Sequence, residues 1–181
     1  MRCIRKQLTD WMRGGTYGWL AADHGCIGIC WSNTMPNMPA WGGLNRKIGN
    51  NPLIMAVPRS NGEHAMIDCA VSQFSYGKIE DCRLRGVQLP VPGGYDTKGE
   101  LTTDPTEIEK TWRVLPMGYW KGSGMALALD MAAALMANGM SGTDMDIQAK
   151  GSCTNCCQIF IAYDPYLFGS KDEIQDMLNG G

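Results

Sequence analysis

The chain has 181 residues, 44% of them apolar and 19% charged, with a formal net charge of −2. That length supports one domain with a real core, and the charge supplies no basic field to draw in nucleic acid. No apolar run reaches the ~20 residues of a membrane span, and the basic start MRCIRKQLTDW lacks the apolar centre of a secretory signal. Eight cysteines at irregular spacing, with no export signal, read as reduced thiols of a cytosolic protein. Both ends are abrupt. Trp11 to Gly15 reads as the inside of a folded motif, and the helical pattern of Lys171 to Leu178 stops at Asn179-Gly180-Gly181. The expectation is a single domain over 1–181 that is the central portion of a longer protein.

In chain order, Gly15 to His24 predicts a short helix with Tyr17, Leu20 and Ala21 on one face. Cys26 to Trp31 is short, apolar and isoleucine-containing, which favours a buried strand. Ser32 to Gly49, broken by Pro36, Pro39 and Trp41-Gly42-Gly43, reads as loop. Gly49-Asn50-Asn51-Pro52 is a turn, Leu53 to Val57 a strand, and His64 to Asp68 another strand after a polar turn. Cys69 to Arg85 predicts a helix capped by Asp68. Leu89 to Gly99 reads as a long exposed loop. Asp104-Pro105-Thr106-Glu107 is a helix start: aspartate caps, proline fits the first position, and Glu107 closes a capping box. Met125 to Ala137 is apolar at every position but Asp130. A helix apolar all round belongs inside a domain, and Gly139 is its expected left-handed cap. Gly142 to Asn155 reads as surface loop, and Gln158 to Tyr163 as a strand. The order is not a regular βαβ alternation, so the pattern predicts an α/β fold with a mixed, largely antiparallel sheet and packed helices, not a Rossmann sheet.

The stretch Leu115 to Gly139 organises the chain. A glycine-rich turn carries Trp120-Lys121, then Gly122-Ser123-Gly124 opens the apolar helix. Free N–H groups at a helix start, with a lysine beside them, suit an anion or phosphate. Leu127 stands where the dinucleotide fingerprint needs its third glycine, so that motif is rejected. Glycine for turn and packing is the alternative reading. Asp68, at a strand's end, could accept from cofactor hydroxyls or cap a helix. Asp130 needs buried partners. His24 and His64, the two histidines, stand in no catalytic spacing. Cys153-x-x-Cys156-Cys157 lacks a second ligand pair for zinc and reads as thiols in a surface loop, with no metal.

Gly49-Asn50-Asn51-Pro52, His64 to Ala70, Phe74-Ser75-Tyr76-Gly77 and above all LPMGYWKGSG at Leu115 to Gly124 resemble the malate/L-lactate dehydrogenase family. The resemblance runs from about Trp11 to Tyr163, and Met1 to Thr9 match poorly. It implies a family-specific NAD(P)-binding fold and a hydride transfer from NADH or NADPH to the ketone of a small 2-oxo acid. It also implies that His64, Ala65, Met66, Ile67, Asp68, Cys69 and Ala70, with Trp120 and Lys121, contact the cofactor, and that the enzyme is a cytoplasmic homodimer. Its catalytic histidine belongs to an N-terminal serine-histidine-glycine segment that does not occur in these residues, so no catalytic residue is assigned. A further cofactor-contacting segment of the family lies beyond Gly181. Gly49-Asn50-Asn51-Pro52 replaces the more usual glycine-threonine-asparagine-proline.

Two readings follow. The chain is the cofactor-binding portion of a 2-oxo-acid reductase, inactive alone. Otherwise it is a non-catalytic remnant that binds nucleotide or only dimerises. Malate, lactate and ureidoglycolate dehydrogenases are the other candidates within the fold.

Overall fold

The computed structural model of the chain describes residues 2–8, 11–149 and 155–179. Strands β1 (Arg2–Leu8), β2 (Ile27–Ser32), β5 (Leu53–Val57), β6 (Ala65–Cys69) and β9 (Cys156–Tyr163) form one sheet in the order β1-β9-β2-β5-β6. Every pairing in it is antiparallel. Trp31 stands opposite both Leu53 and Ile159, and Leu53 opposite Cys69. The end of β2, the start of β5, the end of β6 and the start of β9 therefore meet at one end of the sheet.

Alternation along these strands makes two apolar faces. On one face Cys30, Ile54 and Phe160 cluster with Trp11, under helix α1 (Gly15–Asp23). On the other, Trp31 and Ile159 cluster with Ala133 and Ala137 of helix α4 (Trp120–Ala137). The sheet is thus sandwiched between two helices. α1 approaches closely because both surfaces are small. A side-chain carbon on Gly18 would meet Ile54 Cγ2 at 2.6 Å, and one on Gly28 would meet the Gly18 carbonyl oxygen at 3.3 Å. The buried face of α1 is Gly15, Gly18 and Ala22, not the expected Tyr17 and Leu20, which are exposed.

The remaining elements pack beside α4. Hairpin strands β3 (Met38–Pro39) and β4 (Arg46–Ile48) interrupt the segment expected as loop. Strand β7 (Gly94–Tyr95) lies inside the expected exposed loop Leu89 to Gly99 and pairs with β8 (Leu101–Thr102) just after it; Leu89 and Tyr95 are buried. Helices α2 (Tyr76–Leu84) and α3 (Pro105–Thr111) close a second core around Val71, Ile79, Ile108 and Ala126. Helix α5 (Gly142–Ala149) replaces another expected loop and fully buries Met145. A 3-10 turn (Pro165–Leu167) and helix α6 (Lys171–Asn179) follow β9.

Several local expectations are corrected. α2 starts at Tyr76, and its cap is Ser75, which accepts from the Lys78 N–H. β6 runs on through Asp68 to Cys69, so Asp68 cannot cap α2. It accepts instead from the Gly15 N–H of α1, at 2.9 Å. Asp104 caps α3 as expected, but its own N–H goes to Thr102 Oγ1 while Glu107 pairs with Lys110, so no capping box forms. Asn138, φ 47°, takes the left-handed turn after α4. Gly139 is required because a side chain there would strike Cys157 Sγ. Cys156 and Cys157 are buried at the start of β9, not in a surface loop, and Cys153 lies outside the described residues.

The largest correction concerns α4. Its buried positions are Gly122, Ala126, Ala133 and Ala137, while Leu127 is 52%, Met131 54% and Leu135 78% exposed. The helix is apolar all round but has the sheet on only one side.

Candidate functional site

Strand β6 is an edge strand, and its alternation divides the expected cofactor residues. Met66 and Asp68 face α1: a side chain at Gly15 would meet both Asp68 Oδ2 and Met66 Cε. Ala65, Ile67 and Cys69 face the α4 side, where Ile67 is 53% exposed. Burial, with the Asp68 carboxylate beside it, pushes the Cys69 thiol up, so Cys69 remains a neutral thiol.

The structure brings the end of β6 beside the turn before α4. The Met117 N–H donates to the Val71 carbonyl at 2.9 Å, and Gln73 N–H to the Leu115 carbonyl at 2.7 Å. Ser72 and Pro116 pair as an isolated bridge. Trp120 and Lys121 therefore start α4 within a few residues of the chain that leaves Ala70. Trp120 is 63% exposed. Lys121 Nζ lies 5.9 Å from the Trp120 ring centroid, and Tyr119 packs between Trp41 and Trp120.

α4 begins at Trp120, so Gly122-Ser123-Gly124 lies inside its first turn. Tyr119, φ 59°, makes the entry. A side chain at Gly122 would sit 2.2 Å from the Met117 carbonyl oxygen, so that glycine serves packing. Ser123 Oγ accepts from the Trp41 N–H at 2.8 Å. Gly124 has open space.

His64 is tied at the far end of β6. Its Nδ1 accepts from the Arg59 N–H at 3.0 Å, so Nε2 carries the proton and donates to Asp23 Oδ1, also at 3.0 Å. Its side chain is 5% exposed, and the ring edge rests on Trp19. This holds the β5–β6 turn against α1 and leaves neither ring nitrogen open. His24 Nδ1 bonds the Leu20 carbonyl within its own helix.

Among the described residues, two clefts on the α1 face bear on the site. The larger, about 650 Å³, runs along α1 and is lined by Arg13, Thr16, Trp19, Asp23, Met66 and Asp68 among others. The second, about 420 Å³, lies at the convergent end of the sheet, between Trp11, Thr34, Asn37, Asn50, Tyr76 and Gln158. The chemistry of this second cleft was not foreseen. Its one sequence signal is Gln158, a glutamine at an inward position of an apolar strand. Thr34 and Asn37 come from an irregular segment and have no periodic signature.

Two buried asparagines fix this end. Asn51 Oδ1 accepts from the Thr34 N–H at 2.8 Å, and its amide donates to the Ala126 carbonyl at 2.7 Å, joining the β5 start to α4. Asn33 donates to Asp130 Oδ1 at 2.8 Å and to the Met140 carbonyl at 2.9 Å, and accepts from the Cys157 N–H at 2.7 Å. Asp130 has the partners its burial demands: Asn33 and the Gly142 N–H, at 2.8 Å. Burial still raises its pKa, the two hydrogen bonds opposing the shift.

Among the described residues no group of three metal-ligating side chains converges, and no helix is long and apolar enough to cross a membrane.

Comparison with known proteins bears on this arrangement. The malate/L-lactate dehydrogenase family profile matches residues 3–180, including the N-terminal strand expected to match poorly. The chain is 51% identical over 159 residues to proteins named 2,3-diketo-L-gulonate reductase from Salmonella heidelberg and Salmonella typhi. The alignment covers 88% of this chain and 47% of each relative. The chain spans about half the length of the curated relatives it matches. Among solved structures, sulfolactate dehydrogenase from Methanocaldococcus jannaschii matches with a TM-score of 0.77 at 28% identity, over 96% of this chain and 50% of that one. Malate dehydrogenase from Entamoeba histolytica, at 22% identity, shares the fold with a TM-score of 0.82 over 94% of this chain and 51% of that one. A mixed α/β fold with an antiparallel sheet, two exposed segments meeting at one edge, and a profile match over nearly the whole length lead to one conclusion: the chain belongs to the malate/L-lactate dehydrogenase family.

Proposed function

We propose that the chain is the cofactor-binding portion of an NADH-dependent reductase acting on a 2-oxo acid, with 2,3-diketo-L-gulonate reduced to 3-keto-L-gulonate. NADPH is the alternative cofactor. The observation that carries this reading is the adjacency of two segments remote in sequence. The β6 strand and the Trp120-Lys121 start of α4 are joined by the Met117–Val71 and Gln73–Leu115 hydrogen bonds. The half-length identity to the diketogulonate reductases supports the choice of substrate.

The bound dinucleotide supplies the hydride. The residues here bind and orient it. Lys121 offers a cation at the positive end of α4, Trp120 an exposed aromatic surface, and β6 a row of unpaired backbone groups along its outer edge. His64 keeps that strand pinned to α1. No described residue is assigned as the acid that protonates the new alkoxide: both ring nitrogens of His64 are bonded, and His24 is an exposed residue at the far end of α1, bonded to the Leu20 carbonyl. The chain alone therefore binds cofactor without turnover. We place the protein in the cytoplasm as a homodimer. The exposed Leu127, Met131 and Leu135 support a subunit contact, since two copies of this uncharged face meet without like-charge repulsion.

Calorimetric titration with NADH tests the assignment. Lys121→Ala should weaken binding by 10- to 100-fold, as a charge-assisted contact worth ~1.5–3 kcal/mol implies. Unchanged affinity would remove Lys121 from the cofactor site. Oxidation of NADH by the chain alone with 2,3-diketo-L-gulonate would overturn the claim that it lacks the acid.

A further inference from the structure

We propose that the cleft between Trp11, Thr34, Asn37, Asn50, Tyr76 and Gln158 is a neutral polyol subsite that takes the hydroxylated tail of a sugar-acid substrate and excludes a second carboxylate. This rests on the reductase reading above and specifies its substrate class.

The argument starts from unmet hydrogen-bonding capacity. Gln158 is only 3% exposed, lines the cleft, and its carboxamide has no hydrogen-bond partner among the described residues. Its amide atoms are not among the fully buried orphaned ones, so they reach the open cleft and are free to meet a ligand group or water. Asn37 adds a second such group: its Oδ1 is buried and without a hydrogen bond, while its amide nitrogen donates to Asn50 Oδ1 at 2.7 Å. Thr34 Oγ1, with one proton, lies 3.1 Å from Asn50 Oδ1 and 3.2 Å from Asn51 Oδ1. The Asn37 donation to its oxygen orients Asn50 with its NH₂ as the remaining donor. The Tyr76 hydroxyl donates to the Asn37 carbonyl and keeps acceptor capacity. Burial pushes its pKa up, so it stays a neutral phenol.

The spare groups are thus an acceptor on Asn37, a donor on Asn50, and one of each on Gln158. That set matches vicinal hydroxyls, each of which donates and accepts. The rings of Trp11 and Tyr76 offer apolar surface to the C–H side of such a chain. Among the described residues lining the cleft none is charged. The nearest cation acting on a described wall residue is the exposed Arg46, beyond Tyr76, so a carboxylate entering the cleft would lose water for mainly neutral partners, which is unfavourable. 2,3-Diketo-L-gulonate carries hydroxyls on its three carbons beyond the ketones, whereas malate carries a second carboxylate. The position of the cleft suits this role. It lies at the end of the sheet where β6 finishes, and the Asn50 carbonyl accepts from the Val71 N–H at 2.7 Å. The proposed tail subsite and the proposed cofactor strand therefore share a hydrogen bond's distance of backbone.

The test is a nuclear magnetic resonance titration of the whole chain, saturated with NADH, with L-gulonate as a non-reducible probe. The side-chain amide signals of Asn37, Asn50 and Gln158 should shift and saturate, and L-malate at equal concentration should leave them in place. Gln158→Leu should weaken L-gulonate binding about fivefold, the worth of one neutral hydrogen bond. Amide signals that stay still with L-gulonate, or that respond equally to malate, overturn the proposal without needing the variant to fold. The NADH titration separates the two claims. If NADH binds and L-gulonate does not, only the polyol subsite falls; if NADH fails to bind, the cofactor reading falls.

Discussion

Helices α1 and α4 cover opposite faces of the same sheet and dock by the same means, yet they present different surfaces outward. α1 seats Gly15, Gly18 and Ala22 on the strands, and α4 seats Ala133 and Ala137. Small residues let both approach closely. Outward, α1 shows Thr16, Trp19, Leu20 and Asp23 along an open cleft, a mixed surface suited to solvent or a small ligand. α4 shows Leu127, Met131 and Leu135, a surface suited to another polypeptide. How a helix docks and what it is for are thus separable: inner residue size sets the first, outer chemistry the second.

The comparison can be broken at several points, the largest first. Asn33→Ala should remove the anchor between β9, α4 and the segment after it. It leaves the Cys157 N–H without its side-chain acceptor and takes a donor from Asp130 Oδ1 and from the Met140 carbonyl, which keeps the Cys157 thiol; at ~1–3 kcal/mol for each group left short, chemical denaturation should show a loss of about 2 kcal/mol or more. A loss below 1 kcal/mol would show that packing, not this hub, holds α4. Gly18→Val should cost ~1–3 kcal/mol by overpacking the α1 seam, because its first side-chain carbon already meets Ile54 at 2.6 Å. On the outer face of α4, Leu135→Ser should change monomer stability by no more than about 0.5 kcal/mol while lowering self-association in sedimentation. A large stability loss would place Leu135 in the core.

The smallest expected effect is in pH dependence. Burial raises the Asp130 pKa in the folded chain above its ordinary value, so the folded state binds that proton more tightly than the unfolded one. Asp130 therefore contributes stability as pH falls through the interval between its ordinary and folded values, and that contribution is lost as pH rises through the folded value. Asp130→Asn should flatten this slope in thermal melts across the acid range. An unchanged slope would assign it to other groups.

Much of the sheet was legible because its strands are short apolar runs bounded by turns: Leu53–Val57 is read to the residue. The cap at Asp104 was legible because its chemistry is local. The Asp68 cap was misread because a carboxylate beside a helix start in space need not be beside it in sequence; Gly15 is 53 residues away. The exposure of α4 was illegible for a related reason. Periodicity reports that a helix is apolar on every side, not what lies against each side. The family motifs single out His64–Ala70 and Trp120-Lys121 as the proposed cofactor contacts, but the cleft around Gln158 is assembled from five separate segments and has no local pattern. Gln158 was visible only as an interruption in an apolar strand.

The central claim is that β6 and the mouth of α4 form one cofactor shelf. Amide hydrogen exchange of the chain with and without saturating NADH tests it most directly. Protection should rise together at His64–Ala70 and at Trp120-Lys121, with little change at Leu127, Met131 or Leu135. Protection at neither segment in a folded chain, or at only one of them, would contradict the account.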